Sequence, residues 1–231
     1  MVAGTYAAAY ASAQCALTAA DVILKGERDW TFALCRPPGH HAGRDFMGGY
    51  CYLNNACIAA KFLSGHQRHR VAIIDVDYHA GNGSQDIFYD SPNILTISLH
   101  ADPELEYPFH IGFQDESGAG AGEGLHLNIP LAPGTDDQGY LKALAPAICK
   151  VQAFDPRFLV VSYGADTYEH DPMGFLRVSS EGFSKIGAAI AALDLLTVIV
   201  FEGGYAVDQL GANVLNFLVP FTQRSFITGH N

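Results

Sequence analysis

Basic charge is scarce in this sequence. Lys and Arg number 13 against 24 Asp and Glu, a formal net charge of −11. Without a basic patch to neutralise phosphates, nucleic acid is not expected as a partner. An acidic surface suits a cationic ligand and serves solubility equally well. Paired cysteines are lacking too. The five present (Cys15, Cys35, Cys51, Cys57 and Cys149) are odd in number and contain no C-x-x-C. That is the pattern of reduced thiols in a cytoplasmic protein, not of a disulfide frame. No apolar run reads as long enough to span a membrane, and the N-terminus shows neither a basic n-region nor a clear apolar h-region. Neither a membrane partner nor a signal peptide is therefore expected. Internal repeats, low-complexity segments and linkers are absent. What is present is 49% hydrophobic residues over 231 positions, enough for a single domain over residues 1–231 with a real core.

The chain alternates between short apolar runs and helix-like segments. An Ala-rich stretch over 4–25 ends at Gly26, a C-cap signal. Strands are expected at Thr31–Cys35, Val71–Asp75, Ile94–Leu99, Leu125–Ile129, Phe158–Tyr163 and Thr197–Phe201. Helices are expected over Tyr50–Leu63, Ser84–Tyr89, from Asp136 or Asp137 to about Phe154, from Ser179 or Ser180 onward, and over Asp208–Leu218. The polar tail is expected to fray. This alternation predicts an α/β fold: a doubly wound, mostly parallel sheet with helices on both faces. Ligands of such sheets bind beyond the carboxyl ends of the strands. Four clusters of polar side chains fall there: His40-His41, Asp75 to Asn82, Asp166 and Tyr205.

The stretch Val71–Gly83 carries the densest of them. After a buried run it releases Asp75, Asp77, His79 and Asn82 within eight residues. Alternate residues of an extended chain share a face. Two carboxylates and an imidazole converging at a strand end are costly to bury without a cation. Asp77, His79 and Asp166 make a three-ligand set with open positions, as catalytic metal sites need. Its hardness also admits Fe(II), Co(II) or Mn(II). His40 and His41 supply a general base and an acid. Asp75 and Asn82 are left to orient one histidine each, and the Asn-paired histidine would be the better neutral base. Tyr205 follows Gly203-Gly204 and is either a packed core tyrosine or an oxyanion donor. Tyr50 and Tyr107 are either core aromatics or walls of a slot for an alkyl chain.

Together these residues resemble the zinc-dependent histone deacetylase family. The match lies in Arg36-Pro37-Pro38-Gly39-His40-His41-Ala42, Gly49-Tyr50-Cys51-Tyr52-Leu53-Asn54-Asn55, Asp75-Val76-Asp77-Tyr78-His79, Gly81-Asn82-Gly83, Gly164-Ala165-Asp166-Thr167 and Glu202-Gly203-Gly204-Tyr205. The motifs run in family order from about residue 30 to 218. They are most similar to those of bacterial acetylpolyamine amidohydrolases and class II-like deacetylases. The resemblance implies an arginase/deacetylase fold and hydrolysis of an N-acetylated amine, an acetylpolyamine or acetyl-lysine, to acetate and free amine. It implies Zn2+, with Fe2+ or Co2+ as alternatives, on Asp77, His79 and Asp166. His41 would be the general base and His40 an electrostatic or acid partner, oriented by Asn82 and Asp75, with Tyr205 polarising the carbonyl. Gly49, Tyr50, Tyr107 and Met173 would line the acyl-amine channel. A structural K+ would use Asp75, Asp77 and His79 with backbone help from Ser98 and Leu99. A homodimer is a further implication.

Two departures stand out. Ala80 replaces a second His found in many members, with little effect expected because that His is no zinc ligand. The chain also begins late relative to the family, so an N-terminally incomplete domain with an exposed sheet edge is expected. Two other readings remain: an arginase-like binuclear hydrolase, which needs ligands for a second divalent ion, and a non-catalytic module that binds acetylated amines.

Overall fold

A computed structural model describes residues 1–65 and 69–224. Six strands form one all-parallel sheet: β1 (Trp30–Ala33), β2 (Val71–Asp75), β3 (Ile94–Ala101), β4 (His126–Leu131), β5 (Phe158–Tyr163) and β6 (Leu196–Phe201), in the order β1-β6-β5-β2-β3-β4. The helices are α1 (Thr5–Leu24), α2 (Asn55–Ser64), α3 (Asn82–Phe88), α4 (Asp137–Phe154), α5 (Ser180–Ala191) and α6 (Val207–Thr222). The doubly wound, parallel α/β expectation holds.

The four inner strands are buried along their whole length. Their β-branched and aliphatic runs suit strands covered on both faces. Alternate residues face opposite layers. Ala72, Ile74, Leu159, Val161 and Ile199 pack with residues of α4–α6. Val71, Ile73, Phe158, Val160 and Val198 pack with residues of α1–α3. The edge strands are β1 and β4, and β4 tolerates Pro130 because an edge can lose a backbone donor.

Side-chain caps fix three helix starts. Asn54 accepts from the Cys57 amide, Asp136 from Gly139 and Ser179 from Gly182, at 2.9–3.0 Å. The first of these corrects the expected helix over Tyr50–Leu63. Tyr50 sits at φ 65, which an α-helix excludes, and the helix begins only after Asn54. The last helix is longer than expected, and the expected frayed tail lies from residue 225 outside the described residues.

Another correction concerns α1. It has 20 residues and a mean hydropathy of 1.3, enough by length and composition to cross a membrane. Its apolarity is largely alanine. Its stripe Ala9, Ala13, Ala16, Ala20 and Ile23 is buried, and the last three join the core on the α1–α3 face. Packing therefore accounts for this helix.

From β2 the chain winds outward through β3 to β4, and from β5 outward through β6 toward β1. The topological switch point lies between β2 and β5. The crevice beyond their carboxyl ends is where such a sheet binds ligands.

Candidate active site

Two segments meet at that crevice. β2 runs into Asp75, Asp77 and His79, and β5 into Gly164 and Asp166. Ligand atoms of Asp77, His79 and Asp166 all lie within 4.8 Å of one another. His79 Nδ1 is 3.3 Å from Asp77 Oδ1 and 3.4 Å from Asp166 Oδ2. Backbone amides hold the outer oxygens: Gly203 donates to Asp77 Oδ2 at 2.8 Å, and Tyr78 to Asp166 Oδ1 at 2.9 Å. Among the described residues Asp166 Oδ2 is buried without a hydrogen-bond partner. Gly164 and Gly203 crowd the same spot, where a Cβ on either would collide with Asp77 and Asp166. An orphaned carboxylate oxygen among two acids and an imidazole is the donor set of a divalent cation, and the residues fit one.

Above this cluster lies the His40-His41 loop. It is tied down from below: Ser12 of α1 donates to the Pro37 carbonyl at 2.7 Å, and Asn55 of α2 donates to the same carbonyl and to Ser12 Oγ at 3.1 Å. His40 Nδ1 meets Asp75 Oδ2 at 2.9 Å, and His41 Nδ1 meets Asn82 Oδ1 at 2.6 Å. The two rings are 4.0 Å apart.

Their surroundings push the two imidazoles in opposite directions. Burial works against a charged His40, but the Asp77 and Asp75 carboxylates outweigh it and hold its pKa well above the ordinary value. Burial and the charge of His40 hold His41 well below it. With Nδ1–H donated to Asn82, a neutral His41 keeps Nε2 as its free lone pair. Burial first, then the neighbouring Asp77, raises Asp166 to about 6. Burial works against a charged His79, but the Asp166 and Asp77 carboxylates beside it outweigh that and raise it to about 10.

The mouth is a cavity of about 310 Å³ lined by His40, His41, Gly49, Tyr50, Asp77, His79, Tyr107, Met173 and Tyr205, among others. Tyr107 stands edge-on to His41 with ring centroids 4.9 Å apart, and Tyr50 to Tyr205 at 6.2 Å. Burial, then Asp77 and Asp166, raises the Tyr205 phenol above its ordinary value, so it is a proton donor at neutral pH. Ser98 lies beside Asp75 in the β2–β3 register. Its hydroxyl is already engaged with the Gly81 amide and His100 Nδ1. The Leu99 side chain is fully buried in the core, which leaves only its backbone for an ion.

Two buried carboxylates had no role assigned from the sequence. Glu202 accepts from the Gly39 and His40 amides at 2.6 and 3.1 Å and from Ser162 Oγ at 3.3 Å. Burial raises it to about 7, against the pull of His40. Its signal was an acid at the end of the apolar run of β6. Asp171 accepts from the amides of Met173, Tyr205 and Ala206. Its signal was an Asp-Pro turn five residues after Asp166. His40, Cys51 and Glu202 also cluster closely enough for a metal. That group is not independent, because His40 Nδ1 is engaged by Asp75.

Comparison with known proteins places the chain as a whole. Residues 1–219 match the histone deacetylase domain. The chain is 50% identical over 218 residues to acetylpolyamine amidohydrolase 1 of Pseudomonas aeruginosa, covering 94% of this chain and 63% of that protein. It is 43% identical to the acetylpolyamine amidohydrolase of Mycoplana ramosa, covering 93% and 63%. A crystal structure of acetylpolyamine aminohydrolase from Burkholderia pseudomallei superposes with a TM-score of 0.90 at 45% identity, covering 93% of this chain and 62% of that one. The chain thus spans a little under two thirds of the length of these relatives. Together with the six-stranded parallel sheet and the residues gathered at its switch point, these matches show that the chain belongs to the histone deacetylase domain family.

Proposed function

We propose that this chain hydrolyses the amide of an N-acetylated cationic amine, an acetylpolyamine before acetyl-lysine. The observation that carries the reading is the pair of differently partnered histidines beside the Asp77, His79 and Asp166 cluster. An acid–base reaction needs two such groups with their pKa values pushed apart. The relatives named as acetylpolyamine amidohydrolases and the net charge of −11 favour a cationic amine.

A divalent ion on Asp77, His79 and Asp166, Zn2+ with Fe2+ or Co2+ as alternatives, would supply Lewis acidity to water and to the acetyl carbonyl. His41 Nε2 takes the proton of the attacking water as its oxygen bonds to the carbonyl carbon. Asn82 keeps that histidine in the required tautomer. Tyr205 donates a hydrogen bond to the carbonyl oxygen as charge develops there. His40, held charged by Asp77 and Asp75, stabilises that charge. The proton held on His41 Nε2 then passes to the amine nitrogen as the C–N bond breaks, giving acetate and free amine. Gly49, Tyr50, Tyr107 and Met173 form the slot for the alkyl chain. A structural K+ at Asp75, Asp77, His79, Ser98 and Leu99, a homodimeric assembly and a cytoplasmic location complete the proposal.

An arginase-like binuclear centre needs more ligands, and Asp75 and Asn82 are engaged by the histidines. Metal analysis separates the readings. One divalent ion per chain, lost in Asp166→Ala, together with acetate release from N-acetylputrescine, supports the mononuclear amidohydrolase. Two ions per chain support the binuclear reading. One ion without turnover on acetylputrescine or an acetyl-lysine peptide supports a binding module.

A further inference from the structure

Gly203-Gly204 precede Tyr205, and Gly204 adopts φ +139, a conformation that residues with a side chain rarely take. Helix α6 begins two residues later, and its N-cap, Ala206, has no side chain able to cap. What holds this segment comes from elsewhere. Asp171, 5% exposed, turns its carboxylate onto it. Oδ2 accepts from the Tyr205 amide at 2.7 Å and from Ala206 at 3.0 Å. Oδ1 accepts from the Met173 amide at 2.9 Å. One side chain therefore joins the loop bearing the tyrosine to the loop bearing the rim methionine, across 34 and 35 residues of sequence.

We propose that Asp171 is a positioning residue: its carboxylate sets where the Tyr205 phenol stands over the substrate carbonyl and fixes Met173 at the channel rim in the same act. This rests on the reading of Tyr205 as the carbonyl-polarising group. Hydrogen bonds from amides to a carboxylate are the strong kind, and three converging on one group define a single geometry. Charge stabilisation by a hydroxyl depends on placement, and a displacement of about 1 Å costs on the order of 100-fold in rate. Asn at this position keeps the shape but offers one oxygen where two are used. Its NH2 then faces an amide donor, and one of the two loops must let go.

The test compares Asp171→Asn, Tyr205→Phe and the double variant in metal-loaded protein. Acetate release from N-acetylputrescine is measured, and an N-trifluoroacetyl amide keeps residual rates measurable. Amide hydrogen exchange at residues 173, 205 and 206 is followed in parallel and needs no turnover. We expect Asp171→Asn to lower kcat about 100-fold with KM and metal content unchanged. In the Tyr205→Phe background it should add less than about twofold, because the group it positions is gone. Exchange should accelerate at the amides of Tyr205 and Ala206, of Met173, or of all three. An equal loss in both backgrounds, or unaltered exchange at all three amides, would overturn the positioning role. Tyr205→Phe inactive with Asp171→Asn fully active would overturn it while leaving the reading of Tyr205 intact. Full activity in Tyr205→Phe would overturn both.

Discussion

Gly203→Ala is a small change that should dismantle the proposed metal site without replacing a ligand. Gly203 has an ordinary backbone conformation, so alanine is not strained there. Its added Cβ would stand 2.7 Å from Asp77 Oδ2 and 3.0 Å from Asp166 Cγ, and closer still to Asp166 Oδ2. Comfortable contacts begin near 3.5 Å, so both carboxylates must retreat by roughly 0.5–1 Å. Metal–ligand distances tolerate only about 0.2 Å. Altering the support of one ligand already costs about 10–100-fold in affinity. Displacing two should weaken zinc binding by at least about 100-fold, or about 2.7 kcal/mol. Overpacking should also destabilise the metal-free protein by about 1–3 kcal/mol. Competition with a chromophoric chelator measures the affinity, and denaturant melts measure the stability. Gly211→Ala is the control, because nothing lies within 4 Å of a Cβ at Gly211. Unchanged zinc affinity in Gly203→Ala would refute the siting of the ion at Asp77 and Asp166.

Other expectations follow from the same geometry. His41→Ala should abolish acetate release while metal content stays at one per chain; an active variant would place the base elsewhere. Phe217 is fully buried and stacks on Tyr163 with centroids 4.1 Å apart, so Phe217→Ala should cost about 3–5 kcal/mol in urea melts, and a loss under 1 kcal/mol would contradict the packing. His126 should cost the fold stability in mild acid. Burial depresses His126 to about 4, below the unfolded value of about 6.5, so the unfolded chain holds the extra proton between those values. The His126 contribution is then fully present above about pH 6.5 and is lost as pH falls, by up to about 1.4 kcal/mol per pH unit. Among the described residues His126 Nε2 has no hydrogen-bond partner to stabilise that proton. His126→Asn should remove this share of the pH 7 to pH 5 dependence, leaving those of His100 and His41, which are also depressed, and the opposing ones of Asp166 and Glu202, which are raised. An unchanged slope would refute this assignment.

Strands were the most legible part of the fold. Runs such as Phe158–Tyr163 and Thr197–Phe201 are apolar because both faces of the sheet are covered, and that needs no knowledge of partners. β3 and β4 run further than their apolar cores suggest. Polar His100 and edge Pro130 still pair through the backbone, which side-chain pattern does not report. The start of α2 was misplaced for a local reason: the expected helix took in Tyr50, which sits in a left-handed turn after Gly49, and only the Asn54 cap marks the true beginning. At the candidate site, the residues that cluster at strand ends could be singled out because several acids and imidazoles rarely fall there together. Glu202 and Asp171 escaped because each bonds mainly to backbone amides of loops distant in sequence. Such contacts leave no periodicity and no fixed spacing. The apolar length of α1 was similarly ambiguous, since an alanine-rich core helix and a membrane span share a composition.

Acetate release from N-acetylputrescine before and after metal removal tests the proposed chemistry most directly. The chain should lose turnover when stripped by a chelator and regain it on adding one equivalent of zinc, while Tyr205→Phe binds the same equivalent and stays inactive. Turnover that survives complete metal removal, or that Tyr205→Phe retains in full, would contradict it.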